Sequence, residues 1–346
     1  MVSKRKFVTF SALTAFSGII PLHAFARSTN IFTSLIKKSG FEKNTSFMAI
    51  DLRSNKLIGR HNEQLRLPIA SVTKMITASY YLNNYKLGQF KTELFMNGII
   101  KDEIIHGDIY FKGHGDPTLK TDDLSLFVDA VEKLGVTKVE GKLFYDNSHL
   151  PDVNYILRNQ LPQYAYNPGM GAINLNENRI LFKWKRLDKM KYEISLTAPG
   201  IKNSVQVTNI TMDLENNKGP VYDYELDGKK FKESWSVNRR ILGKKGSRWL
   251  PVRESSYYAA EVLSQLFIDR GIEIGKMKRA IVPKQSRLLV THYSAKNTTI
   301  LKNALKYSKN MVTESIGLAA SRTISSHLYD LDQSAVLMTR WFRMII

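Results

Sequence analysis

The apolar residues of this chain keep a helical spacing up to about Phe90, change to short alternating runs, and return to helical spacing after Arg248. The middle block reads GDIYFKG, KVEGKLFYD, RILFKWK, KYEISLTA, SVQVTNITM and PVYDYEL, each run the length of one strand. One helical pattern interrupts it, from Asp122 to Leu134, with Leu124, Phe127, Val128 and Val131 on one side and Asp122 or Asp123 as its cap. Before the block, FTSLIKK reads as a short helix and SFMAIDLRSNKLIGRHNEQ as a hairpin turning at Arg53-Ser54-Asn55. A helix opening at Ser71 is expected to carry Val72, Met75, Ile76 and Leu82 inward, with Gly88 available to end it. After the block, Ala259, Val262, Leu263, Leu266 and Phe267 form one stripe ending near Gly271; Leu301, Ala304 and Leu305 begin a second, and Met311, Val312, Ile316 and Ala319 a third. The stretch from Leu331 to Phe342 also reads as helix. Such a pattern describes an α/β domain, residues 27–89 and 249–346, interrupted by a mostly β domain at 90–248.

The N-terminus carries a different signal. Lys4, Arg5 and Lys6 precede the apolar run FVTFSALTAFSGIIPLHAFA, which closes on the small-x-small triplet Ala24-Phe25-Ala26. That order is an export signal, residues 1–26, with cleavage expected after Ala26 and a mature chain in the periplasm or cell envelope. No later stretch is apolar over the roughly 18 residues a spanning helix needs. The chain has no cysteine, so disulfides, thiol nucleophiles and cysteine metal sites are excluded. Its formal charge is +20 at pH 7. An exported chain meets little nucleic acid, so an anionic envelope polymer or lipid surface is the expected counter-surface. The basic residues are scattered, as in KRLDKMK and NRRILGKKGSR, and a solvated basic face accounts for them equally well.

Within LPIASVTKMITASYYLNNYK, Ser71 lies three residues before Lys74. A serine hydroxyl needs a base within hydrogen-bond reach to act as a nucleophile. On a helix, i and i+3 share a face, and a lysine shut into a cleft loses basicity enough to supply some neutral amine. Further on, Ser308-Lys309-Asn310 breaks a helical stretch between two apolar stripes. Ser308 can relay a proton there, and Asn310 can hold a substrate carbonyl and Lys74. Spacing alone is cheap: Ser3-x-x-Lys6 and Ser34-x-x-Lys37 repeat the first pattern, and Ser28-x-Asn30 and Ser236-x-Asn238 the second. Ser71 as a plain helix cap and Asn310 as a surface residue therefore stay open on spacing.

Beyond these triplets, PIASVTKMITA, FKTELFMNG, YFKGHGDPTLKTDDLSLF, GKLFYDNSHL and SAKNTTILKNALKYSKNMVTESI resemble segments of the class C low-molecular-mass penicillin-binding proteins. The resemblance covers most of residues 40–320, and GHGDPTL is its most specific part. It implies an α/β penicillin-binding-protein fold, related to class A β-lactamases, with a large mostly β inserted domain. The 237 positions between Ser71 and Ser308 leave room for that insertion. It further implies Ser71 as nucleophile, Lys74 as general base, Ser308 as proton relay and Asn310 as substrate amide contact.

The implied reaction is serine D-alanyl-D-alanine carboxypeptidase or endopeptidase chemistry on peptidoglycan stem peptides ending in D-Ala-D-Ala. β-Lactams would act as covalent inhibitors, and neither metal nor organic cofactor is called for. The family carries a third motif, Lys-Thr-Gly, on a strand after S-x-N, and the sequence reaches Ile346 without it; Lys38-Ser39-Gly40 precedes the nucleophile in a helical context. A family member short of its last sheet strands, weak or inactive, is the expectation that follows. The competing readings are a catalytically inactive envelope-associated remnant or binding protein, and a class A-like β-lactamase, against which the large insertion speaks.

Overall fold

The computed structural model describes residues 25–189, 191–216, 219–325 and 327–345. The expected export signal lies outside these residues, apart from its last two. The chain divides into two units at the Ala70–Ser71 bond.

In the first unit, α1 (Phe25–Ser39) accompanies a hairpin of β1 (Phe47–Asp51) and β2 (Lys56–His61). The Asp51 carboxylate accepts the backbone N–H of Arg53 at 2.8 Å, and Asn55 takes a left-handed φ of 51° to complete the turn. Phe32 of the helix packs on Phe47 of the hairpin, ring centroids 5.1 Å apart.

The second unit begins with α2 (Lys74–Asn84) and then enters a sheet. The long hairpin β3 (Lys91–Lys101) and β4 (Ile104–Gly113) turns through Asp102 and Glu103, both at positive φ, as a two-residue loop with right-handed strand twist requires. Helix α3 (Ser125–Glu132) and the short strands β5 (Lys138–Val139) and β6 (Leu143–Asp146) follow. Leu124, Phe127, Val128 and Val131, the expected apolar side of α3, are all buried. Asp123 caps this region by accepting the Lys120 N–H, whereas Asp122 reaches across to the backbone N–H groups of Ile201, Lys202 and Asn203.

Seven strands come next: β7 (Arg179–Arg186), β8 (Tyr192–Pro199), β9 (Ser204–Gln206), β10 (Ile210–Glu215), β11 (Tyr222–Asp227), β12 (Lys232–Asn238) and β13 (Lys245–Pro251). They form two sheets, ordered β13-β7-β8-β9 and β10-β12-β11.

Helix α4 (Ser255–Asp269) and strands β14 (Met277–Arg279) and β15 (Arg287–Tyr293) then return to the first sheet, whose order is β14-β6-β4-β3-β15. Strand β15 lies antiparallel to β3, with Lys91 opposite Tyr293. The sheet opened at Lys91 thus closes at Tyr293, and residues 255–293 pack with it although their periodicity changes after Arg248. Sheet pairing between strands so distant in sequence leaves no local trace.

The last elements are α5 (Asn297–Lys306), α6 (Asn310–Arg322) and α7 (Leu331–Ile345). They gather around α2 in a second core built on Tyr80, Tyr81, Ile300, Met311, Val312 and Ile316, distinct from the core of the sheets. The buried side of α2 is Thr77, Ala78, Tyr80 and Tyr81; Val72, Met75 and Leu82, expected inward, are 58, 61 and 56% exposed. Two stripes of one helix share the same period, and the stripe carrying tyrosines is the one that meets α6 and α7. Gly317 of α6 makes this approach possible, because a Cβ there would stand 3.3 Å from Thr77 Cγ2.

Candidate active site

Ser71 lies in a single 3₁₀ turn, Ala70–Thr73, and α2 proper opens at Lys74. Its hydroxyl engages side chains: Lys74 Nζ donates to Ser71 Oγ at 3.0 Å, and Ser308 Oγ donates to it at 2.7 Å. Lys74 Nζ also donates to Ser308 Oγ at 3.3 Å, closing a triangle of two hydroxyls and one amine. The i, i+3 relation anticipated for Ser71 and Lys74 holds although their backbone is a tighter turn leading into the helix.

Ser308 reaches the triangle through an uncommon backbone. At the end of α5, the Lys309 N–H bonds the Ala304 carbonyl and the Ser308 N–H bonds the Leu305 carbonyl. This is the Schellman pattern, whose left-handed position usually holds glycine. Here Ser308 occupies it, at a φ of 52°. A side chain at such a position costs about 1 kcal/mol or more, and strain of this kind persists where surrounding contacts over-determine it. The hydroxyl it presents to Ser71 and Lys74 is such a contact.

The loop leading into β7 holds the segment around Ser308 on its other side. Lys309 Nζ is 2.5 Å from Glu177 Oε1, and Glu177 also meets Arg179 at 3.2 Å. Glu177 stands in a left-handed run, Asn176-Glu177-Asn178, with φ of 52, 56 and 52°. Buried asparagine amides fix that run: Asn176 Nδ2 donates to Thr121 Oγ1, and Asn178 Nδ2 donates to the Gly169 carbonyl. The GHGDPTL segment braces the same loop, since a Cβ on Gly113 would lie 2.2 Å from the Ala172 carbonyl oxygen. Its Asp116 is buried, with one carboxylate oxygen accepting the Thr118 N–H and hydroxyl and the other 3.6 Å from His292 Nδ1.

Asn310 Nδ2 donates to the Tyr166 carbonyl at 3.2 Å, and the hydrogen bonds of Lys74 run to the two serines rather than to Asn310. The loop bearing Tyr166 is clamped by the buried Arg253. Its guanidinium donates to the Pro162 and Asn167 carbonyls and lies 4.2 Å over the Tyr155 ring.

Electrostatically, burial holds Lys74 below the usual lysine range, and the carboxylate of Glu314 on α6 opposes that effect. Burial also drives Glu177 upward, but Arg179 foremost, then Lys309 and Lys120, outweigh it and keep the group ionised. Glu177, Tyr166, Arg253 and Glu314 were not legible as site residues. The run NLNEN in residues 174–178 held the one local cue, asparagines that tolerate left-handed φ.

The arrangement provides a hydroxyl, an amine of reduced basicity in contact with it, and a second hydroxyl bridging both. The chain is 25% identical over 296 residues to D-alanyl-D-alanine carboxypeptidase DacB of Haemophilus influenzae, covering 82% of this chain. It spans 60% of that relative's length. The crystal structure of penicillin binding protein 4 (dacB) from the same organism superposes with a TM-score of 0.69 at 19% identity, over 88% of this chain and 70% of the other. The same protein complexed with a novel β-lactam superposes with a TM-score of 0.67 at 19% identity, over 89% and 69%. These structures establish the shared α/β fold. The model of the D-Ala-D-Ala carboxypeptidase 3 (S13) family matches residues 30–336, a span that contains the whole triangle and the loops that brace it, and the chain belongs to that family.

Proposed function

We propose that this protein is a serine-type D-alanyl-D-alanine carboxypeptidase or endopeptidase acting on peptidoglycan stem peptides. The observation that carries the reading is the contact of Ser71, Lys74 and Ser308 within 3.3 Å of one another. Ser71 Oγ attacks the carbonyl carbon of the penultimate D-alanine while its proton passes to the neutral amine of Lys74. The carbonyl becomes a tetrahedral oxyanion. As it collapses, the C–N bond breaks, Ser308 gives its proton to the departing amine, and Lys74 replaces the proton on Ser308. Water then hydrolyses the ester on Ser71 through the same groups. Asn310, placed by Tyr166, is the contact for the substrate amide. A β-lactam carbonyl would be attacked by the same serine, with ring opening in place of departure.

The direct test is mass spectrometry of the protein after penicillin exposure, together with D-alanine release from a pentapeptide ending in D-Ala-D-Ala. A long-lived adduct and released D-alanine are expected. Rapid turnover of the penicillin would mark a β-lactamase instead, and neither adduct nor release would leave a binding protein.

Ser308 supplies a finer check. Ser308→Gly relieves the left-handed backbone and is expected to leave stability unchanged or raise it by up to about 1 kcal/mol, read from the urea midpoint. It removes the relay, so acylation should slow by about 10²-fold. A variant both destabilised and fully active would contradict the assigned role.

The proposed compartment is the periplasm or cell envelope, on the order of charge, apolar run and small residues at the N-terminus. Among the described residues no helix is long and apolar enough to cross a membrane. N-terminal sequencing of envelope material should read Arg27 first; an intact Met1 in the soluble cytoplasmic fraction would overturn the assignment.

A further inference from the structure

Helices α2 and α6 run side by side in the same direction, and their contacts step down both together. Lys74 meets Ser308 just ahead of α6, the Thr77 methyl meets Gly317, and the Tyr80 hydroxyl meets Ser321 Oγ at 3.1 Å. Lys74 is one turn before Thr77, and Glu314 is one turn before Gly317. This register sets Glu314 across from the catalytic lysine. The mechanism above gives this glutamate no task, although it is an acidic group taken largely out of water.

The other charged groups near this helix face elsewhere. Lys309 is held by Glu177. On α5, Lys302 and Lys306 are exposed, as are Asp332, Arg340 and Arg343 on α7. Arg322 lies at the far end of α6. Each of Lys74 and Glu314 feels the other's charge. Burial pushes Glu314 up and Lys74 opposes it; burial pushes Lys74 down and Glu314 opposes it.

Resting on the acyl-transfer reading, we propose that Glu314 is a positioning residue for the reaction: its carboxylate holds the Lys74 ammonium that forms when Ser71 gives up its proton, keeping Nζ over the two serines until Ser308 protonates the leaving amine. The proton count closes on the side chains present, from Ser71 to Lys74, from Ser308 to the leaving nitrogen, and from Lys74 back to Ser308. Glu314 supplies charge and is neither donor nor acceptor in these transfers.

The test is a titration of the full chain carrying ¹³C at lysine Cε, with the Lys74 signal identified by its loss in Lys74→Ala. Glu314→Gln should lower the Lys74 midpoint by about one pH unit, and Glu314→Asp should restore part of it. The acid limb of penicillin acylation should move down with it, while the acylation plateau falls about tenfold and non-covalent binding stays constant. A residue that merely supports the fold would lower the rate and leave both the midpoint and the limb in place. If Glu314→Gln does not fold by circular dichroism, the unsubstituted protein suffices. Its Lys74 signal should show a second, smaller inflection as Glu314 takes up a proton, and a single inflection overturns the proposal. A shifted Lys74 without acylation of the unsubstituted protein overturns the acyl-transfer reading and leaves the coupling standing. Acylation with an unmoved Lys74 overturns the coupling and leaves the reading standing.

Discussion

Ser71→Ala is expected to abolish the covalent penicillin adduct and to lower D-alanine release by about 10⁵–10⁶-fold relative to the unsubstituted protein. The size follows from what is removed. Alanine leaves no atom to form the ester, so the two-step route disappears and only binding remains. The surroundings should survive, because the side chain is exposed and its partners, Lys74 and Ser308, retain their contact with each other at 3.3 Å. Unfolding curves of the variant should therefore overlay those of the unsubstituted protein within about 0.5 kcal/mol. Release of D-alanine by the variant at a rate near that of the unsubstituted protein would refute the nucleophile.

Lys74→Arg is expected to slow acylation by about 10³-fold and to flatten its pH dependence. Arginine keeps the positive charge, and with it the electrostatic balance against Glu314, but stays protonated throughout the working range. The unsubstituted lysine behaves differently. Burial disfavours its charged form, so its affinity for a proton lies below that of a free lysine, with Glu314 countering part of the effect. Acylation should rise as pH climbs through the Lys74 midpoint, because only the neutral amine accepts the serine proton. In the arginine variant that rise should vanish. A variant that keeps the same acid limb would assign the limb to another group and dismiss Lys74 as the base.

The helices and their order could be read from periodicity because an apolar stripe is local information. The stripe on α3 and the Ser71–Lys74 relation are of this kind. Which stripe of α2 turns inward is not, since Tyr80 and Tyr81 bury a ring and keep a polar tip while Met75 competes for the same role; tertiary neighbours decide. Ser308 was legible as a break between two helices, but its left-handed backbone was not, because a Schellman turn ordinarily announces itself with glycine. Glu177 and Tyr166 act on the segment around Ser308 from the stretch between β6 and β7, more than a hundred residues away in sequence. Glu314 hid in plain helical periodicity, as one more polar residue among buried neighbours.

The pairing of β3 with β15 also bears on how the chain reaches its folded state. Ser71 and Ser308 are 237 residues apart, and bringing them together from an open chain means closing a loop of that length. The folded stretch from Lys91 to Tyr293 changes the problem. Its two ends meet where Lys91 pairs with Tyr293, and the Ser294 N–H bonds the Phe90 carbonyl at 2.9 Å. Once those ends are clasped, only a few tens of residues remain to be closed between the two serines. Because closure entropy grows with the logarithm of length, the shortcut lowers that cost by roughly 2 kcal/mol. If the sheets form first, the stretch from Lys91 to Tyr293 would act as an internal splint that brings the distant pair of serines within easy reach.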